Sequence, residues 1–264
     1  MRKLLLLLLL FCQLVCLADH PDVHVAILGD SNTWIGGDSC DKAKGWNKWF
    51  KDEFAPASCV SYARSGATWT NTENTLYNIL EDIDVLGKDN VIYNQINRLV
   101  NAVEEGRQVV PNLIIIAAGT NDAWFQKARP MVFGMTVDEA FRTDRDFLTS
   151  KKVNEVLTLA ESVRYGCEML MDRFPMARII LLTPMQSTAV SNTDIRRTGD
   201  IIEECGRQMG ISVIRQDYNS SVCRVREEKR HLYTSDGTHT NEKGARQNGC
   251  LIAHQINQLL TSNL

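Results

Sequence analysis

Short, almost wholly apolar runs separated by longer stretches of helical period constrain this chain more than any other feature. Residues 23–28, 59–63, 113–118, 178–183 and 211–214 read as strands. Runs of this kind lack the alternation of a half-exposed strand and belong to a sheet covered on both faces. Residues 44–54, 92–105, 153–174, 195–209 and 242–260 carry apolar side chains three and four apart, as amphipathic helices do. Pro111 introduces the third strand, Pro175 stops the longest helix and Gly210 ends the next. The alternation predicts an α/β fold: a three-layer α/β/α sandwich around a mainly parallel sheet of about five strands.

With 264 residues, 44% of them apolar and 23% charged, the chain suits one globular domain. No repeat or low-complexity linker divides it. The N-terminus has a different character. Met1-Arg2-Lys3 is followed by an unbroken leucine run, residues 4–10, and then by Cys16-Leu17-Ala18, a small-residue site before Asp19. We read residues 1–18 as a signal peptide and 19–264 as a single exported domain, periplasmic or extracellular. The apolar stretch is shorter than the ~20 residues that cross a bilayer, so no membrane span is expected in the mature chain. Bulky Val15 argues against a lipid anchor on Cys16. Cleavage after Ala18 leaves Cys40, Cys59, Cys167, Cys205, Cys223 and Cys250, an even set in a compartment that permits disulfides. Sequence alone names no pair among them. No Cys/His cluster suggests a metal, and neither metal nor cofactor is expected. The formal charge of -3, without a basic stripe, argues against nucleic acid as a partner. The oligomeric state is not legible.

The chemistry concentrates where strands end. Gly29-Asp30-Ser31-Asn32 follows the first strand and so stands at the carboxyl edge of a parallel sheet, where such folds bind ligands. The same tripeptide recurs at Gly37-Asp38-Ser39, but after Trp34-Ile35-Gly36 rather than a strand, so context selects Ser31 over Ser39. Ala63-Arg64-Ser65-Gly66-Ala67 follows the second strand and brings a glycine, whose backbone can approach a ligand closely. Gly119-Thr120-Asn121-Asp122 follows the third and offers a side-chain amide. Asp236-Gly237-Thr238-His239 precedes the last helix, with an aspartate and a histidine near enough for one turn to present both. Among the other histidines, His20, His24, His231 and His254 have no carboxylate at that spacing.

Taken in order, Ser31, Gly66, Asn121 and His239 resemble the four residues that name the SGNH (GDSL-like) hydrolases. Asn32 replaces the leucine of the GDSL block, and Thr183-Pro184 is similar to a minor block of the family. The resemblance runs from about residue 23 to the end. It implies a flavodoxin-like sheet and a serine esterase that uses no metal. Ser31 would be the nucleophile, His239 the general base and Asp236 the group that fixes the imidazole. The oxyanion hole would come from the backbone N–H groups of Ser31 and Gly66 and the Asn121 amide. A glycan or small-molecule ester is the expected partner.

Three tryptophans stand three positions after a block residue: Trp34, Trp69 and Trp124. As cleft walls they would suit a sugar ring, and with Asp30 they are the candidate substrate contacts. This favours removal of acetyl groups from carbohydrate over a lipase or thioesterase, although residues 130–134 are a small lid candidate. A non-catalytic carbohydrate-binding protein would not need a serine, histidine and aspartate set. A phosphate-binding domain would want a richer anion loop after the first strand. Two connections, residues 70–90 and 124–150, are long enough to carry extra helices or function.

Overall fold

The computed structural model describes residues 20–76, 90–142 and 147–261. The expected signal peptide, residues 1–18, lies outside them, as does most of the 70–90 connection. Five parallel strands, β1 (His20–Gly29), β2 (Pro56–Ser61), β3 (Leu113–Ala117), β4 (Arg178–Leu182) and β5 (Ser212–Ile214), form one sheet in the order β2-β1-β3-β4-β5. That is the flavodoxin-like order, and the chain changes direction across the sheet between β1 and β3. Register aligns the strand ends: Val25 lies opposite Cys59 on one side and Leu113 on the other, and Gly29 lies opposite Ala117. The ends of β1 and β3 are therefore neighbours, and both lead directly into sequence blocks of interest.

The helices in chain order are α1 (Ser31–Trp34), α2 (Trp46–Phe54), α3 (Ile92–Glu104), α4 (Thr120–Phe125), α5 (Val137–Ala140), α6 (Leu159–Arg173), α7 (Asn192–Met209), α8 (Arg224–Arg230) and α9 (Glu242–Thr261). Side chains of a strand point alternately to opposite faces, and here both faces are covered. Ala26, Leu28, Ile114, Ile116, Ile179 and Leu181 pack with Ile96 and Leu99 of α3, Val163 and Cys167 of α6 and Ile202 of α7. Val25, Ile27, Leu113, Ile115, Ile180 and Leu182 pack with Trp46, Phe50 and Phe54 of α2 and Ile252 and Ile256 of α9. The result is the three-layer sandwich the apolar runs predict.

Several boundaries differ from the sequence reading; β1 begins at His20 rather than residue 23, and α7 at Asn192 rather than residue 195. The second strand starts earlier, at Pro56, because it lies at the sheet's edge, where a missing N–H is tolerated as the first residue. The helix expected from residue 153 begins only at Leu159, capped by Thr158, whose hydroxyl accepts from Glu161 N–H at 3.3 Å. Val153 and Val156 imitate helical spacing but pack against Tyr165 and Leu148 from a short 3-10 turn and its exit. The long connection after Trp124 carries, among its described residues, 3-10 turns at Pro130–Phe133 and Leu148–Ser150 as well as α5. Among the described residues, no helix is long and apolar enough to cross a membrane.

Candidate active site

β1 ends at Gly29, and the chain turns at once into α1. Asp30 caps that turn, its carboxylate accepting from Asn32 N–H at 3.1 Å. The cap sets Ser31 as the first helical residue, 8% exposed at the sheet's carboxyl edge. From the far end of the chain, the loop before α9 brings His239 to it. The His239 Nε2 to Ser31 Oγ distance is 2.8 Å, and His239 Nδ1 lies 2.7 Å from Asp236 Oδ2. The other Asp236 oxygen accepts from His239 N–H at 2.7 Å and Thr238 N–H at 2.9 Å. Desolvation opposes ionisation of Asp236, but the hydrogen bonds from the His239 ring and these backbone groups outweigh it and hold its carboxyl below the usual value. An ionised Asp236 keeps the proton of a neutral imidazole on Nδ1 and leaves Nε2 free to accept from the serine. The remaining histidines are engaged elsewhere: His24 Nδ1 lies 2.9 Å from Ser58 Oγ, His20 stacks on Phe54, and His254 pairs with Glu53 at 2.9 Å. His231 ends α8.

Gly66 sits in a turn closed by Ala67 N–H to Arg64 C=O at 3.3 Å, with φ +75, a conformation that favours glycine. Gly119 has φ +127, and a Cβ there would fall 2.9 Å from Thr198 Cγ2 and 3.1 Å from Pro184 Cδ. Both its backbone and its packing exclude a side chain, and this tight turn opens α4 with Asn121 beside the Gly66 loop. The Asn121 amide donates to Ala67 C=O at 2.9 Å. The three strand ends are tied together by Asp30 N–H to Ala117 C=O and Arg64 N–H to Gly29 C=O, both 3.1 Å. Ser31, Gly66, Asn121, Asp236 and His239 thus gather at one edge. Ser39 does not join them; it lies in the loop after α1, its carbonyl accepting from Lys51 Nζ at 2.9 Å.

The expected substrate contacts divide. Trp34 is half-buried and lines a surface cavity of about 350 Å³ with Ile35, Asp38 and Lys42, and Trp124 is 47% exposed. Trp69 is not a cleft wall. It is 1% exposed, packed with Ile92 and Ile96 and against Gly166, because the extended segment after Gly66 turns that side chain into the core. Asp30 is not a surface contact either. Its carboxyl is 3% exposed and shared between Asn32 N–H and the Thr120 hydroxyl. Burial raises its pKa to about 6.

Three residues hold the site together without having been singled out from sequence. Asp122, fully buried, accepts from Trp69 N–H at 3.0 Å, Thr70 N–H at 2.9 Å and the Thr70 hydroxyl at 2.8 Å, so it pins the strand-like run after Gly66 to α4. Its position in the Gly119–Asp122 block was the only signal. Asn32 Oδ1 accepts from Thr240 N–H at 3.2 Å and ties the serine turn to the histidine loop. Glu227 of α8, fully buried, accepts from Tyr233 N–H, Thr234 N–H and the Thr234 hydroxyl at the base of that loop. It sits in a charged run that reads as a solvated face. Among the described residues, no group of three or more His, Cys, Asp or Glu side chains is placed to hold a metal.

Comparison with known proteins places this arrangement in context. Curated proteins give no match. Among solved structures, a protein from Chitinophaga pinensis described as a possible lipase superposes with TM-score 0.59 at 14% identity, over 90% of this chain and 99% of that one. A lipase/acylhydrolase from Enterococcus faecalis gives 0.52 at 18%, over 90% and 97%. The acetyl xylan esterase AlAXEase gives 0.50 at 15%, over 90% and 99%. Identities this low establish a shared fold. The sequence model of the GDSL-like lipase/acylhydrolase family matches residues 27–247, from within β1 to within α9. By that match the chain belongs to the GDSL-like lipase/acylhydrolase family, hydrolases acting on esters.

Proposed function

We propose that this chain is an exported serine esterase that removes short O-acyl groups, acetyl above all, from carbohydrate. One observation carries the chemistry: the continuous path from Ser31 Oγ to His239 Nε2 at 2.8 Å and from His239 Nδ1 to Asp236 Oδ2 at 2.7 Å. In this reading Ser31 Oγ attacks the ester carbonyl while His239 Nε2 takes its proton. The imidazolium that forms is stabilised by Asp236 and returns the proton to the leaving alcohol. Water, deprotonated by the same nitrogen, then attacks the acyl-serine; the acyl–Oγ bond breaks, the imidazolium returns the proton to Ser31 Oγ and the acid leaves. The negative charge on the tetrahedral oxygen is met by the N–H groups of Ser31 and Gly66 and by the Asn121 amide. That nitrogen carries two hydrogens; Ala67 takes one, and the other is left for the oxyanion.

The carbohydrate assignment rests on the half-buried Trp34, in the short helix that Ser31 opens, and the exposed Trp124, in the helix that carries Asn121, flat surfaces against which a sugar ring can stack. The export assignment rests on the charged, leucine-rich and small-residue segments of residues 1–18. A longer-acyl specificity has one observation in its favour. Met131, 51% exposed in the 3-10 turn Pro130–Phe133, lines a cavity of about 430 Å³ with Val132 and Leu157. The test uses aryl esters of rising chain length together with an acetylated oligosaccharide. Acetate release from the oligosaccharide and a rate that drops from acetyl to octanoyl support the proposal; rates that climb with chain length refute its acyl specificity. Ser31→Ala should abolish both reactions and Ser39→Ala should leave them, and the reverse outcome would remove the assigned nucleophile.

A further inference from the structure

The loop between α1 and α2 approaches the sheet edge through a pair of thiols. Cys40 Sγ and Cys59 Sγ lie 3.7 Å apart, Cys40 being 1% and Cys59 5% exposed. Cys40 holds φ +53, uncommon for a residue with a side chain, and the Asn47 amide donates to its sulfur at 3.4 Å. The conformation aims the loop at β2. Of the other described cysteines, Cys205 Sγ lies 3.7 Å from Ala160 C=O, and Cys250 Sγ 3.9 Å from Glu53 Oε2. We propose that Cys40 and Cys59 form a disulfide in the exported chain, joining the loop after the serine turn to the edge strand.

The bond goes beyond the esterase reading: it rests on the export part of that proposal and not on its chemistry. Closing 3.7 Å to a bonded sulfur pair needs side-chain rotation and a small loop shift. With both sulfurs buried, the oxidant reaches them while the loop is still open during folding, and a small dialkyl disulfide of the glutathione class suffices. The Cys40 thiolate attacks that disulfide, forming a mixed disulfide and expelling one small thiolate. The Cys59 thiolate then attacks the Cys40 sulfur and expels the second. Two protein thiols lose two electrons and two protons, and one small disulfide becomes two thiols. In the closed loop the hydrogen bond from the Cys59 thiol, with the one from Asn47, holds Cys40 below the usual thiol value against its burial. The tethered loop matters to the site. Lys44 C=O accepts from the Thr240 hydroxyl at 2.8 Å, next to His239, and Asp38 C=O accepts from Ser61 N–H at 2.8 Å.

The test is disulfide mapping of the full chain refolded in a mixture of reduced and oxidised glutathione. Free thiols are alkylated before digestion, and the peptides are read by mass spectrometry. A Cys40–Cys59 cross-linked peptide in most molecules is the expected result. Cys40 and Cys59 both alkylated in folded protein would overturn the proposal, as would either of them joined to another cysteine. A thermal melt gives a second readout. Dithiothreitol should lower the wild-type Tm by roughly 5 °C or more and leave the Cys40→Ala/Cys59→Ala double variant unmoved. An equal drop in both proteins places the bond elsewhere and refutes the pair. Neither measurement reads activity, so the esterase assignment stands or falls separately.

Discussion

Asp30→Asn should stabilise the protein at neutral pH, and the gain should vanish in acid. The carboxyl of Asp30 is 3% exposed, and burial raises its pKa from an ordinary 3.8 to about 6. Hydrogen bonds from Asn32 N–H and the Thr120 hydroxyl and the nearby His239 offset only part of that desolvation. A group whose folded value lies above its unfolded one makes the folded state the better proton binder. Stability is then greatest below about pH 4 and declines as pH rises towards 6. At 1.36 kcal/mol per pH unit, the gap between 3.8 and about 6 corresponds to about 3 kcal/mol lost at pH 7 and above. Asparagine has the same shape, accepts from Asn32 N–H through its oxygen and carries no charge, so most of that loss should be recovered. For a domain of this size, the recovered stability should raise Tm by roughly 5 °C at pH 8. Melts of both proteins from pH 4 to 8 would show curves that converge in acid. A variant less stable than wild type by the same margin at every pH would refute the reasoning, since the carboxylate would then be a net asset. The variant should also be slower, because the charge it removes lies close enough to His239 to favour the imidazolium of the proposed transition state.

Other substitutions separate the roles at the site. Asn121→Ala should lower kcat by roughly a hundredfold or more with little change in KM, as loss of an oxyanion donor does; a loss confined to KM in steady-state assays would make Asn121 a binding residue. Asn32→Leu restores the family's residue but breaks the 3.2 Å bond from Thr240 N–H, so kcat should fall by about threefold to tenfold while the fold melts normally. An unchanged kcat would show that the His239 loop is held without it. Trp69→Ala should cost roughly 3–5 kcal/mol in urea unfolding as a buried aromatic truncation, whereas Trp124→Ala should stay within about 0.5 kcal/mol and weaken only the oligosaccharide reaction. Equal effects of Trp124→Ala on an aryl acetate and on the oligosaccharide would remove its stacking role.

What was legible in the sequence follows from what is local in it. A parallel strand buried on both faces leaves a nearly continuous apolar run, and the residues that follow it are committed to the sheet's carboxyl edge. Gly29 to Ser31, Gly66 and Gly119 to Asn121 could therefore be assigned to one place before any contact was known. Likewise, Asp236 and His239 are three residues apart, and a single turn joins them. What stayed hidden depends on direction or on distant partners. Trp69 and Trp124 occupy equivalent positions after their blocks. Yet Trp69 follows an extended run whose backbone Asp122 fixes, and its ring goes into the core, while Trp124 rides an exposed helix face. Asn32 and Thr240 are 208 residues apart, so no spacing rule connects them. Glu227 looks like one more surface charge in Arg224–Arg230 until three donors of the histidine loop converge on it. Asp122, Asn32 and Glu227 share one property: each accepts backbone hydrogen bonds from the loops that carry the proposed chemistry. Sequence motifs record which groups are presented, whereas the acceptors that fix where they are presented are scattered along the chain. The geometry between Ser31 and His239 therefore depends on acceptors whose partners no motif names.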